Sequence, residues 1–247
     1  MNTPAADLTD PQTVLRTLLD DDRAVREALE RALEPELNAL ATALAACFAR
    51  WKSIRQAAAA RSELRTDLMS GFAHGALDDL IVSVKLLLAG KAAASGNIAR
   101  QAVEGLAMAV LCSTDQELII QARPKQGDVR GCYWQRLADP DDRLVEGQRA
   151  VQQLSWNADV LRLHAPWIER LSEAQKTFSA VSHAGPLAIS LRTNFEVPGL
   201  ISFGAHFDAE KLGWYRAGMR LRTLMARDLA SVMPFLLAAV GPASASA

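Results

Sequence analysis

Strand-forming residues are in short supply. Aromatics account for 6% of the chain, while alanine crowds segments 39–49, 57–60 and 92–94. Alanine is the strongest helix former, and the aromatic and β-branched residues that fit pleated surfaces are thin by comparison. Such a composition predicts an all-α fold. Cysteine is nearly missing too: Cys47, Cys112 and Cys132 are far apart and odd in number. They supply neither a disulfide framework nor a C-x-x-C metal pair, and read as small buried apolar residues in a reducing compartment.

No sign of charge dominates. Lysine and arginine number 27, aspartate and glutamate 28, for a formal net charge of −1, so nothing global draws the chain toward nucleic acid or anionic lipid. No apolar run approaches the roughly 20 residues of a membrane span; the longest are 86–89 with its flanks and 232–240. Near the N-terminus, Asp7 stands where a secretory leader needs basic residues and then an apolar run. The expected location is the cytoplasm, with no membrane association. Phosphate loops, dinucleotide-binding glycines, G-x-S-x-G, H-E-x-x-H and Glu-x-x-His are all absent from the sequence. Neither a cofactor nor a metal site is expected.

What is present is helical periodicity. Asp10-Pro11 opens a helix with Val14, Leu15, Leu18 and Leu19 on its apolar face. A second begins near Arg23, and Pro35 marks a break before a long helix from Glu36 to about Arg61. Apolar residues every three or four predict that this helix turns Leu37, Leu40, Leu44, Phe48, Trp51 and Ile54 inward. Glu63 to Leu88 is a third long helix, with Leu64 among its inward positions and Gly90 as C-cap. Ser95-Gly96-Asn97 reads as a turn into the next helix, and 115–122 as a short one. Segment 124–131 looks like a loop, and 133–182 holds two or three helices with a joint near Pro166. Between 188 and 203 the texture loosens into alternation around Pro198-Gly199, which suits a small β-hairpin. Asp208 then caps a final helix to about Val232, with Leu224 among its inward residues and Pro234 as a bend. The whole reads as one domain over 10–240, a bundle of seven to nine helices with one small β-hairpin before the last long helix. Residues 1–9 and 241–247 read as disordered ends.

The chemistry-bearing candidates are few. Arg100 and Glu104 lie one turn apart on a helix, 97–111, that is apolar on nearly every side, so the pair is expected to leave water. Arginine before glutamate is the weaker order for helix support, and arginine in a first turn opposes the helix dipole. The pair is either a lock between helices or two charges aimed into a cleft. His183 closes a helix in Phe178-Ser-Ala-Val-Ser-His183, where a cation is favourable. His74, between Gly71 and Gly75, marks a place where something approaches closely. Arg216, Arg220 and Arg227 share one side of the last helix, as a phosphate grip or as ordinary exposed charge.

The sequence 95–104 with Arg100 and Glu104, then Ser182-His183, a hairpin and a long final helix, resembles a group of helical bacterial proteins. Those are related to the HEPN (higher eukaryote and prokaryote nucleotide-binding) and abortive-infection proteins. The likeness runs from about Glu63 to Phe235. It implies a helical bundle that dimerises and serves phage defence or mobile elements. Active HEPN ribonucleases carry an arginine four to six residues before a histidine. No histidine here has one, although Lys176 precedes His183 with six residues between. The expected function is a non-enzymatic HEPN-like interaction or regulatory module, a homodimer with a possible protein partner. The alternative is a metal-independent RNase or a nucleotide or small-ligand binder. Its candidate residues would be His183, Arg100, Glu104 and Lys176, around a polar cleft.

Overall fold

A computed structural model describes residues 7–61, 63–195 and 204–241. The chain runs α1 (Pro11–Leu19), α2 (Arg23–Ala32), α3 (Glu34–Arg61), α4 (Leu64–Leu88), α5 (Ala92–Leu111), β1 (Glu117–Gln121), β2 (Val129–Cys132) and α6 (Tyr133–Leu137). It continues through α7 (Gly147–Trp156), α8 (Ala165–Ser182), α9 (Pro186–Ser190) and α10 (Leu212–Val240), with 3-10 turns at Arg143–Val145 and Ala209–Lys211. Two helices, α6 and α9, are single turns of five residues. The fold is all-α with one antiparallel hairpin, β1–β2, ahead of the last long helix.

Local chemistry sets several boundaries. Asp10 caps α1, accepting from Gln12 N at 3.3 Å and Thr13 N at 2.9 Å, and Pro11 sits where no intrahelical donor is needed. Pro35 occupies the second position of α3, so it separates α3 from α2 without interrupting either. Helix α4 ends in a Schellman motif: Gly90 N–H donates to Leu87 O at 2.8 Å and Lys91 N–H to Leu86 O at 2.9 Å, with Gly90 at φ 70°.

Helix α5 is the axis of the bundle. Twelve of its 20 residues are buried, against α4, α8 and α7. Small residues allow that density; a Cβ at Gly96 would lie 2.1 Å from Val181 Cγ2 on α8. Helix α10 packs chiefly on α3, burying Tyr215, Met219, Arg222, Ala226, Leu229, Met233, Leu236 and Val240 at spacings of three and four, and it continues past Pro234 to Val240. The stretch Ala209–Val240 is long and apolar enough to cross a membrane, unlike any continuous apolar run in the sequence, and half of its most apolar window is buried inside the bundle. Phe48, Leu64 and Leu224, expected inward, lie exposed.

Four segments differ from expectation. The segment expected as a short helix at 115–122 is strand β1. Its backbone is claimed by side chains of α7 and its C-terminal end. Asn157 Oδ1 accepts from Ile119 N at 2.7 Å, while its Nδ2 donates to Ile119 O at 2.9 Å and Gln153 O at 2.8 Å. Gln153 Nε2 donates to Ile120 O at 2.9 Å and Leu144 O at 2.7 Å, and its Oε1 accepts from Tyr133 at 3.1 Å. The second strand, Val129–Cys132, begins within the expected loop 124–131. The stretch 95–97 is no turn: α5 begins at Ala92, and Ser95 and Gly96 are buried inside it. Of the region expected as a hairpin, 188–190 belongs to helix α9, and 196–203 lies outside the described residues, as do 1–6 and 242–247.

Because Asn157 is buried and satisfies both backbone groups of Ile119, Asn157→Ala strands them. We expect urea unfolding to show a loss of about 2 kcal/mol, with the hairpin amides losing hydrogen-exchange protection first.

Candidate functional site

Arg100 and Glu104 lie on α5 where it faces α8 and α7, and both are mostly withdrawn from water, with side-chain exposures of 17% and 14%. Arg100 Nε donates to Glu104 Oε1 at 2.7 Å, and Gln175 Nε2 of α8 donates to the same oxygen at 3.2 Å. Gln175 Nε2 also lies 3.2 Å from Gln148 O of α7. A Cβ at Gly147 would come within 3.3 Å of Glu104 Oε2, so the start of α7 is shaped around this carboxylate. Glu104 thus ties three helices at one point, the geometry of an interhelix lock.

His183 does not join that pair. It is the exposed C-cap of α8 and lines an open cavity of about 580 Å³ with Asn97, Ser182 and Arg192, whose lining includes neither Arg100 nor Glu104. Lys176 is exposed on α8 and lies outside that cavity as well. His74 rests against Trp51, ring centroids 5.5 Å apart, and a Cβ at Gly71 or Gly75 would meet nothing within 4 Å, so the expected close approach is not there. On α10, Arg216 and Arg220 reach Glu36 of α3 at 3.7 and 4.0 Å while Arg227 stays exposed; the three do not form a common grip. Among the described residues no three His, Cys, Asp or Glu side chains cluster to hold a metal ion. The cysteines are free, and burial pushes the Cys47 thiol up to about 11 and the Cys112 thiol further still, which removes them as nucleophiles at neutral pH.

Arg222 and Asp208 are buried charged groups that the sequence reading did not place in the core. Arg222, 3% exposed, lies in the core between α4, α5, α8 and α10. It occupies a regular core position of α10, four residues before Ala226 and three after Met219, and that spacing was the available signal. Asp208, almost fully buried, accepts from Phe195 N at 2.9 Å and Glu210 N at 3.0 Å and pairs with buried Lys211 at 3.4 Å. Burial pushes its pKa up, but those bonds and the Lys211 charge outweigh it and hold the carboxyl below its usual range.

The most unusual surface is α1. None of its residues is buried, and Leu15, Leu18 and Leu19 are 46%, 75% and 75% exposed. The helix leads into Asp20, Asp21 and Asp22, where Asp22 adopts φ 55° and pairs with Lys91 at the start of α5. Elsewhere, a groove of about 470 Å³ between α8 and α10 has Leu163, Trp167, Val232 and Phe235 as apolar lining and Arg162, His164 and Arg170 as basic lining. Trp167 keeps its indole Nε1 buried without an acceptor among the described residues. Arg162 holds φ 53°, a conformation a side-chain-bearing residue adopts only when its surroundings impose it.

No protein-family model, no curated protein and no solved structure matches this chain.

Proposed function

We propose that this chain is a non-enzymatic helical interaction module, HEPN-like in kind, that self-associates in the cytoplasm through α1. The exposed leucine face of α1 carries the reading. A nine-residue helix is marginal in water on its own, and large apolar side chains left clustered in solvent mark an association surface. The occupant is a second copy. The leucine face is flanked by Asp7, Asp10, Asp20 and Asp21, while the α8–α10 groove presents an apolar floor with Arg162 and His164 beside it and Arg170 already paired with Asp228. Apolar meets apolar and acid meets base, which favours the correct partner and speeds encounter. The HEPN-like character rests on the Arg100/Glu104 and Ser182-His183 motifs.

The separation of His183 and Lys176 from Arg100 and Glu104 also supports a role other than catalysis, since general acid–base work needs groups within hydrogen-bond reach. A second reading, nucleotide or RNA binding, is favoured by the open cavity that brings His183, Asn97 and Arg192 to one place.

Sedimentation velocity of the full chain tests the first reading. We expect a dimer at micromolar concentration, and a monomer with unchanged helicity for Leu18→Glu/Leu19→Glu. A wild-type chain that stays monomeric, or a variant that still dimerises, contradicts it. RNA cleavage abolished by His183→Ala would replace it with the catalytic alternative.

A further inference from the structure

Arg222 is a buried cation with no counter-charge among the described residues. A guanidinium offers five N–H donors, and four find neutral acceptors. Nε donates to Ser83 Oγ at 3.0 Å, Nη1 to Gly218 O at 3.0 Å, and Nη2 to Ser95 O at 3.1 Å and Ser95 Oγ at 2.6 Å. The Phe178 ring lies 5.0 Å from the guanidinium carbon. Among the described residues no carboxylate pairs with it, whereas the other buried arginine among them, Arg65, reaches Asp115 at 3.3 Å and Glu63 at 4.0 Å. Buried charges are ordinarily paired, because desolvation of an isolated ion is expensive. Burial accordingly draws the Arg222 pKa down to about 10, so the group remains charged at neutral pH.

The fifth donor is on Nη1, and Nη1 lies at a cavity wall. Gly218 lines a cavity of about 390 Å³, and a Cβ placed there would meet Arg222 Nη1 at 3.2 Å and nothing else within 4 Å. Arg222 lines the same cavity, together with Phe178, Val181, Trp214, Leu221 and Leu224 and with exposed Thr177 and Arg220. The volume falls within the ordinary range for small-molecule sites, and one buried charged anchor in a largely apolar lining is the usual pattern.

We propose that this cavity binds a small monocarboxylate with an aromatic or branched aliphatic body, its carboxylate on Arg222 Nη1 and its body against Phe178, Trp214 and Leu221. The one buried cation, with a single free N–H, matches one negative charge and one oxygen; Arg220, the other arginine of the lining, is exposed and already faces Glu36 at 4.0 Å. A phosphate dianion would bring a second charge that Arg222 alone does not match. The site is separate from the α1 surface and stands or falls independently of self-association.

Titration calorimetry of the full chain with 4-phenylbutyrate, its neutral amide and phenylethyl phosphate reads the proposal directly. The carboxylate is expected to bind at least about tenfold more tightly than the amide, the factor for one hydrogen bond to a charged group. Arg222→Met should abolish that preference. Because Arg222→Met can also disturb the core, Ala217→Trp provides the second variant: position 217 is exposed at the cavity rim, so the fold is retained while entry is blocked, and carboxylate binding should be lost. Equal affinity for acid and amide, tighter binding of the phosphate, no binding at millimolar ligand, or full affinity in Ala217→Trp would each overturn it.

Discussion

Alanine in place of Gly90 is expected to destabilise the fold by about 3 kcal/mol, from about 1 kcal/mol for a Cβ at positive φ and about 2 kcal/mol for overpacking. Gly90 holds φ 70° as the residue that ends α4, and its missing Cβ is the space into which His206 comes: the added carbon would lie 2.4 Å from His206 N and 2.9 Å from His206 O. Those are backbone atoms of the segment that leads into α10, so no side-chain rotation relieves the clash. Val25 Cγ1 of α2, at 2.8 Å, closes the other side. One glycine therefore lets α2, the end of α4 and the approach to α10 meet. Gly127 is the control. It holds φ 82° in the β1–β2 loop with nothing within 4 Å of a Cβ, so Gly127→Ala should show only the backbone part, about 1 kcal/mol. Urea denaturation of both variants checks the account, and equal losses would remove the close approach at His206 from it.

Asp208→Ala is expected to cost about 3 kcal/mol, because it removes one partner of a buried pair and leaves the other charge uncompensated. Lys211 would retain Leu191 O at 3.4 Å and Thr193 O as acceptors, and the Phe195 ring at 4.7 Å, which limits the loss. The Phe195 and Glu210 N–H groups would lose their acceptor. The pH dependence has a definite sign. The folded-state pKa of Asp208 lies below the unfolded value near 3.8, so its contribution is complete above that pH and is lost as the pH falls through the lower, folded value. Wild-type stability should therefore drop on acidification below about pH 4. Asp208→Asn, less stable at neutral pH, should lose part of that slope; an identical slope would mean the carboxylate is not held ionised by this cluster.

Where the sequence was legible, the determinants were local. Asp10-Pro11, Pro35 and Gly90 act through their own backbone and their nearest turns, so the ends of α1, α2 and α4 could be read directly. The withdrawal of Arg100 and Glu104 from water was legible for a related reason: α5 is apolar on nearly every face, so any charge on it had to meet another helix. Strand β1 was not legible, because Leu118-Ile119-Ile120 fits a helix as well as a strand. What decides is the pair Gln153 and Asn157, more than thirty residues downstream, which bond the strand backbone. Arg222 was missed because attention to arginines shared by one exposed face passes over one that interrupts the buried stripe. The gap between His183 and Glu104 depends on the register of α8 on α5, which sets Gln175 against Glu104 and Val181 against Gly96, and spacing along the chain does not encode it.

The exposed leucines of α1 give the functional account its sharpest handle. Hydrogen exchange of the full chain, measured at two concentrations either side of the association midpoint, reads whether that helix is covered. Amides of Val14 to Leu19 should be slow at the higher concentration and fast at the lower, together with concentration-dependent slowing around Arg162 to Arg170. Exchange of α1 at the rate of a free peptide at every concentration would contradict self-association through this helix.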